Sequence, residues 1–131
     1  MGRRFVTRMV GVDPDATAPD GSEVRLLAAA KRGSMAHFRL AAGAVSKPVR
    51  HRTVEELWYF VGGQGEMWRR DRGGEEVVPV ATGVSVSIPV GTIFQFRATG
   101  DSLLEAVAVT MPPWPGMDEA VPAEGIWPPT V

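Results

Sequence analysis

The sequence predicts a single all-β domain, an antiparallel barrel built from short strands. Three observations carry that expectation. Fifteen glycines and 11 prolines punctuate the chain at short intervals. The runs between them are rich in β-branched and aromatic residues, and several alternate apolar with polar side chains. The length, 131 residues, suits one domain able to bury its own core.

The elements follow in order. Residues 3–10 form a candidate first strand, with Phe5 and Val6 as its apolar members. Residues 13–22 hold Pro14, Pro19 and Gly21 among aspartates and read as an exposed loop. A strand is expected over 23–27; residues 28–32 either continue it or form a helical turn. Over 34–41 the alternation is clean, with Ala36, Phe38 and Leu40 on one face and Met35, His37 and Arg39 on the other. Gly43 opens a loop containing Pro48. The most apolar strand, 54–61, ends at Gly62 and Gly63, and 66–70 returns from it as a hairpin. Gly73 and Gly74 turn the chain into 75–80, and Gly83 precedes the alternating Val84, Val86 and Ile88. After a tight turn at Pro89 and Gly91, residues 92–98 place Thr92, Phe94 and Phe96 on one face and Ile93, Gln95 and Arg97 on the other. Residues 103–110 are apolar enough to be buried on both faces.

From Met111 the chain is rich in proline, which forbids a central strand. It also carries Trp114 and Trp127, whose large apolar area favours burial. The organisation expected is therefore one domain over 1–131: an N-terminal strand and loop (1–22), a barrel (23–110) and a tail (111–131) packed on it. Residues 111–118 are also a candidate lid, with Trp114 as its plug.

Composition excludes several classes. The net charge is -1, which gives no basic field to attract nucleic acid or anionic membrane. Arg69, Arg70 and Arg72 are offset by Asp71, Glu75 and Glu76. There is no cysteine, so disulfides, thiolate nucleophiles and zinc–thiolate sites are absent. No apolar run approaches the roughly 18 residues of a membrane span, and the basic start lacks the apolar core of a secretory signal. A cytoplasmic protein is expected. The glycines at 62, 63 and 65 sit in a hairpin with no helix behind them, unlike a phosphate loop.

Two motifs give a sharper reading. Gly43 is followed by five residues, then Val49-Arg50-His51, four residues, Glu56, six residues and Gly63. Gly83 is followed by five residues, then Pro89-Val90-Gly91, two residues, Phe94, three residues and Ala98. In this spacing the chain resembles the cupins, whose fold is a double-stranded β-helix or jelly roll. The resemblance implies a divalent metal held inside the barrel by three histidines and one glutamate. Only His51 and Glu56 stand at those positions; the other two are Val49 and Phe94. His37 or Gln95 would have to complete a metal site. Catalytic metal sites ordinarily use at least three protein ligands, so a tightly bound metal is not expected.

Without a metal, His51 and Glu56 form a candidate acid–base pair for isomerisation, epimerisation or elimination next to a carbonyl. The alternative is that they only bond to each other and to nearby backbone. If Glu56 points inward, strand parity adds Trp58 and Phe60; if Phe94 does, Thr92 and Phe96 follow. Glu66 and Trp68 are weaker candidates. His37 and Arg39 join the lining if their face of the strand is inward. These residues either line a small-molecule pocket or fill a solid core. The reading chosen is a small-molecule-binding cupin-like protein, expected as a homodimer. Its alternatives are a metal-dependent dioxygenase, isomerase or decarboxylase with a reduced ligand set, and a non-catalytic dimeric scaffold.

Overall fold

The computed structural model describes residues 5–131. Eleven strands build two antiparallel sheets: β1 (Ala16–Thr17), β2 (Glu23–Ala30), β3 (Gly33–Leu40), β4 (Val49–His51), β5 (Glu55–Gly62), β6 (Gln64–Asp71), β7 (Gly74–Ala81), β8 (Ser85–Ile88), β9 (Ile93–Ala98), β10 (Leu104–Met111) and β11 (Ala120–Pro122). The first sheet runs β1-β2-β3-β10-β5-β8 and the second β11-β4-β9-β6-β7. Among the described residues no helix is long and apolar enough to cross a membrane.

Period-two patterning decides which face meets the core. On β5, Glu56, Trp58 and Phe60 are buried, while Leu57 and Tyr59 are about half exposed. On β9, Phe94 and Phe96 point into the same core, opposite Val49 and Met67 on the flanking strands. Trp58 is the centre of this packing. Its ring stacks on Phe38 with centroids 5.1 Å apart and planes 4° from parallel, and it meets Phe96 edge-on at 5.1 Å. Burying each of these rings contributes about 2–3 kcal/mol.

Several expectations need correction. Of the candidate strand over 3–10, residues 5–10 are exposed and lie in no strand, while residues 3 and 4 fall outside the described part. The segment that follows is tethered instead by Arg25, whose Nε and guanidinium NH2 group donate to the carbonyls of Gly11 and Val12. The loop over 13–22 is not simply exposed; Ala18, Asp20 and Ser22 are buried and β1 lies within it. Of the two alternatives left open for residues 28–32, residues 28–30 take the first and continue β2 as strand. On β10 only one face is fully buried, because Glu105, Val107 and Val109 look away from the core.

The tail is ordered and splits in two. Residues 112–122 pass over one end of the barrel, where β11 pairs with β4. The remainder lies over the outer face of the second sheet. There Gln95 Oε1 accepts from the backbone N–H groups of Ile126 and Trp127, its Nε2 donates to the Trp127 and Ser46 carbonyls, and the Arg97 guanidinium sits 4.2 Å from the Trp127 ring centre.

The β5–β6 turn depends on Gly63, with φ of 78°. A Cβ there would collide with the Leu103 carbonyl oxygen. Gly63→Ala is therefore expected to destabilise the fold by about 2–4 kcal/mol, measured as a lowered denaturant midpoint at unchanged slope.

Candidate functional site

At the tail-covered end of the barrel lies a cavity of about 90 Å³. Seven strands contribute to its wall, β1 through Ala16 and Thr17 and β11 through Ala120 among them. Glu56 and Trp58 come from β5, Thr110 from β10, Ala36 and Phe38 from β3, Val24 and Leu26 from β2, and His51 and Val49 from β4. Asp20 arrives on the loop before β2, and Trp114 and Met117 on the tail. Most of the wall is apolar, and the polar groups gather around His51.

His51 is 4% exposed. Its Nδ1 is buried without a hydrogen-bond partner and stands 3.6 Å from Glu56 Oε1, just beyond bonding distance. Phe94 and Trp114 hold the imidazole edge-on, with ring centres 5.2 and 5.3 Å away. Glu56 is fixed from two sides: Trp58 Nε1 donates to Oε1 at 3.0 Å and the Thr110 hydroxyl to Oε2 at 2.7 Å. Both residues face inward because β4 and β5 each present alternate positions to the core.

Burial pushes the two groups in opposite directions. It lowers the pKa of His51, against the pull of the Glu119 and Asp20 charges. It raises the pKa of Glu56, against the bonds from Trp58 and Thr110, and the Glu119 charge adds to the rise. The imidazole is thus biased toward the free base and the carboxyl toward its acid form, which is the division of labour an acid–base pair needs. Asp20 is also raised, first by burial, against the Ser22 bonds.

The other residues singled out in the sequence fall elsewhere. Phe60, Phe94 and Phe96 are part of the solid core beneath the cavity and do not line it. Thr92 is buried in the turn before β9, near the β6–β7 hairpin end. His37 and Arg39 lie on the outer face of β3, since Ala36 and Phe38 take the cavity side; Glu105 stands 3.2 Å from His37 Nε2 and 3.6 Å from Arg39 Nε. Glu66 and Trp68 are likewise on an outer face: Glu66 pairs with Arg97, and Trp68 Nε1 donates to Glu75 at 2.7 Å. Gln95 holds the tail. Asp20 and Thr110 were not anticipated. The run Asp20-Gly21-Ser22 signals an Asx turn, with Ser22 N and Oγ both bonded to Asp20 Oδ1, but nothing local announces burial.

The residues present do not fit a histidine-rich metal centre. Val49 and Phe94 fill two ligand positions with buried hydrocarbon, and both Glu56 oxygens already accept bonds. His37 and Gln95 point away from the cavity. Among the described residues no group of three or more His, Cys, Asp or Glu is arranged to hold a metal ion.

Residues 36–110, more than half of the chain, match the cupin domain family, and the chain belongs to it. No curated protein matches its sequence. Among solved structures it is similar to BH2720 from Bacillus halodurans, with a TM-score of 0.64, 19% identity, and coverage of 76% of this chain and 74% of that one. It is similar to Bacillus subtilis oxalate decarboxylase (TM-score 0.69, 16% identity) over 84% of this chain but only 30% of that one. The Drosophila melanogaster CENP-C structure bound to CAL1 aligns with a TM-score of 0.63 and 12% identity, over 70% of this chain and 71% of that one. At these identities the likeness is one of fold.

Glu119 ties the tail over the site. Its carboxylate accepts from Thr53 N at 2.6 Å, Thr53 Oγ1 at 2.6 Å and Val54 N at 2.9 Å. Burial alone would raise its pKa, but these bonds outweigh it and leave the pKa below the ordinary value of 4.5. A depressed folded pKa contributes stability above the unfolded value, and that contribution is lost as pH falls through the folded one. Glu119→Gln is expected to lower thermal stability at neutral pH, with the gap to wild type closing as acid protonates the carboxylate. Melting curves from pH about 7 down to about 3 check this.

Proposed function

We propose that this cupin binds a small uncharged molecule in this cavity, against the His51–Glu56 pair, and moves a proton on it, without a tightly bound metal. The observation that carries the reading is His51 on the wall of an apolar cavity, its Nδ1 buried with no partner and 3.6 Å from a carboxyl oxygen. Leaving such a group unsatisfied costs about 1–3 kcal/mol, a cost that a ligand bonding to it would offset. The cavity is smaller than the roughly 300–1,000 Å³ of drug-sized sites, so the ligand is small. Ionised ligands are disfavoured by a wall that already holds its own acids and imidazole toward their neutral forms.

Small neutral ketones and phenols are the compounds to screen by thermal shift. Those that bind should raise stability by about 2.7 kcal/mol at a hundredfold excess over Kd, and His51→Ala should abolish most of that gain. No shift with any such compound, or one unaffected by the substitution, would overturn the reading.

An interaction role has its own support. The outer face of the first sheet carries exposed Met35, Leu57, Tyr59 and Val61, with half-buried Val107 and Val109 between them. The arm ahead of β1 leaves Met9 and Val12 almost fully exposed. We infer that a second copy of the chain covers this face, a self-complementary arrangement that closes with two-fold symmetry. The CENP-C likeness, whose structure includes the protein CAL1, is compatible with a scaffold role but concerns fold alone. Light scattering at high micromolar concentration should give a dimer, and Leu57→Glu with Tyr59→Glu a monomer that retains its melting behaviour. A wild-type monomer would exclude the interface.

A further inference from the structure

Three ionisable side chains meet in the cavity wall, and proton transfer by His51 and Glu56 leaves one of them without a part. The third is Asp20. It lies in a segment whose sequence suggests a solvated turn, yet it is 5% exposed. Its loop is held on both sides: the Asp20 carbonyl accepts from Lys47 N at 2.8 Å, and Gly21, with φ of 92°, packs so closely on Val131 that a Cβ would not fit. Both bonds from Ser22 land on Oδ1, which leaves Oδ2 with no partner among the described residues. Taking a carboxyl this far out of water costs free energy that the two Ser22 bonds offset only in part, with no ion pair to add to them.

Its position is informative. In the first sheet β3 and β10 separate β2 from β5. Asp20, just ahead of β2, and Glu56, on β5, therefore reach the cavity from opposite flanks, while His51 enters from β4 of the other sheet. A ligand held against the unpartnered Nδ1 of His51 meets one carboxyl on each side.

We infer that Asp20 is a catalytic residue of this site, serving a second carbon of an unsaturated ketone or aldehyde whose first carbon is served by the His51–Glu56 pair. This rests on the function proposed above. In the first half, the C–H bond beside the carbonyl breaks and its proton passes to His51. The electron pair becomes part of a dienol as the Glu56 carboxyl gives its proton to the carbonyl oxygen. In the second half, the Asp20 carboxyl protonates the far carbon, and the dienol O–H returns its proton to Glu56 as the carbonyl re-forms. His51 is left protonated and Asp20 ionised, and transfer of one proton from His51 to Asp20 restores the start. The double bond moves into conjugation, and no oxidant or reductant is consumed.

Allyl methyl ketone in deuterated buffer separates the two halves. Proton NMR reads deuterium entering the carbon beside the carbonyl, which needs only the first half, and ultraviolet absorbance reads the conjugated product, which needs both. Asp20→Asn keeps an Oδ1 acceptor for both Ser22 bonds, and its melting curve checks that the loop is intact. The expected result is wild-type exchange and isomerisation, with Asp20→Asn losing about a hundredfold in isomerisation and under about threefold in exchange, the size of one general-acid contribution. Glu56→Gln should lose both. Wild-type protein that does neither overturns the proton-transfer reading and Asp20's role with it. Wild-type activity matched by Asp20→Asn, or equal loss of exchange and isomerisation in that variant, overturns the assignment of Asp20 alone.

Discussion

Trp58 is where the core and the site become one problem. Its ring is held by Phe38 on one face and by Phe94 and Phe96 at its edges. Its indole N–H has a single direction left, and in that direction lies Glu56 Oε1. An indole buried at 2% exposure needs an acceptor, and a carboxyl buried at 3% needs donors, so each removes the other's desolvation penalty. The aromatic packing therefore sets the angle at which Glu56 faces His51. Glu56 and Trp58 are only two apart in sequence, so one strand supplies both the indole and the carboxyl that it fixes.

Much of the architecture was legible because barrels impose short-range rules. Alternation on β3, β5 and β9 separated the two faces correctly, and the glycines and prolines marked most of the turns. Where the reading failed, the deciding partner was distant in sequence. The segment over 5–10 has strand-like composition but no ladder to join. Residues 13–22 look like a solvated turn, yet the cavity and the 46–48 segment bury part of it.

The site was legible in a more limited way. The motif spacing located His51 and Glu56, and parity from Glu56 brought in Trp58. The same parity included Phe60, and parity from the motif position Phe94 included Phe96; all three face inward but lie too deep to touch the cavity. For His37 and Arg39 nothing in their strand alone says which face is inward; register against β10 decides it, placing Arg39 opposite Glu105 on the outside. Val49 and Phe94 are direct cross-strand neighbours between β4 and β9. The two positions at which the family resemblance implies histidines thus lie side by side, and both hold buried hydrocarbon here.

The three residues of β11 do more than roof the cavity. They occupy the hydrogen-bonding edge of β4, which would otherwise show unpaired N–H and C=O groups beside His51. An open edge is a template on which another chain can grow, and short, proline-ended strands are a common way to close one off. Here that cover ends at Pro122 itself. The segment that covers the cavity thus also guards the barrel against polymerising through its own rim.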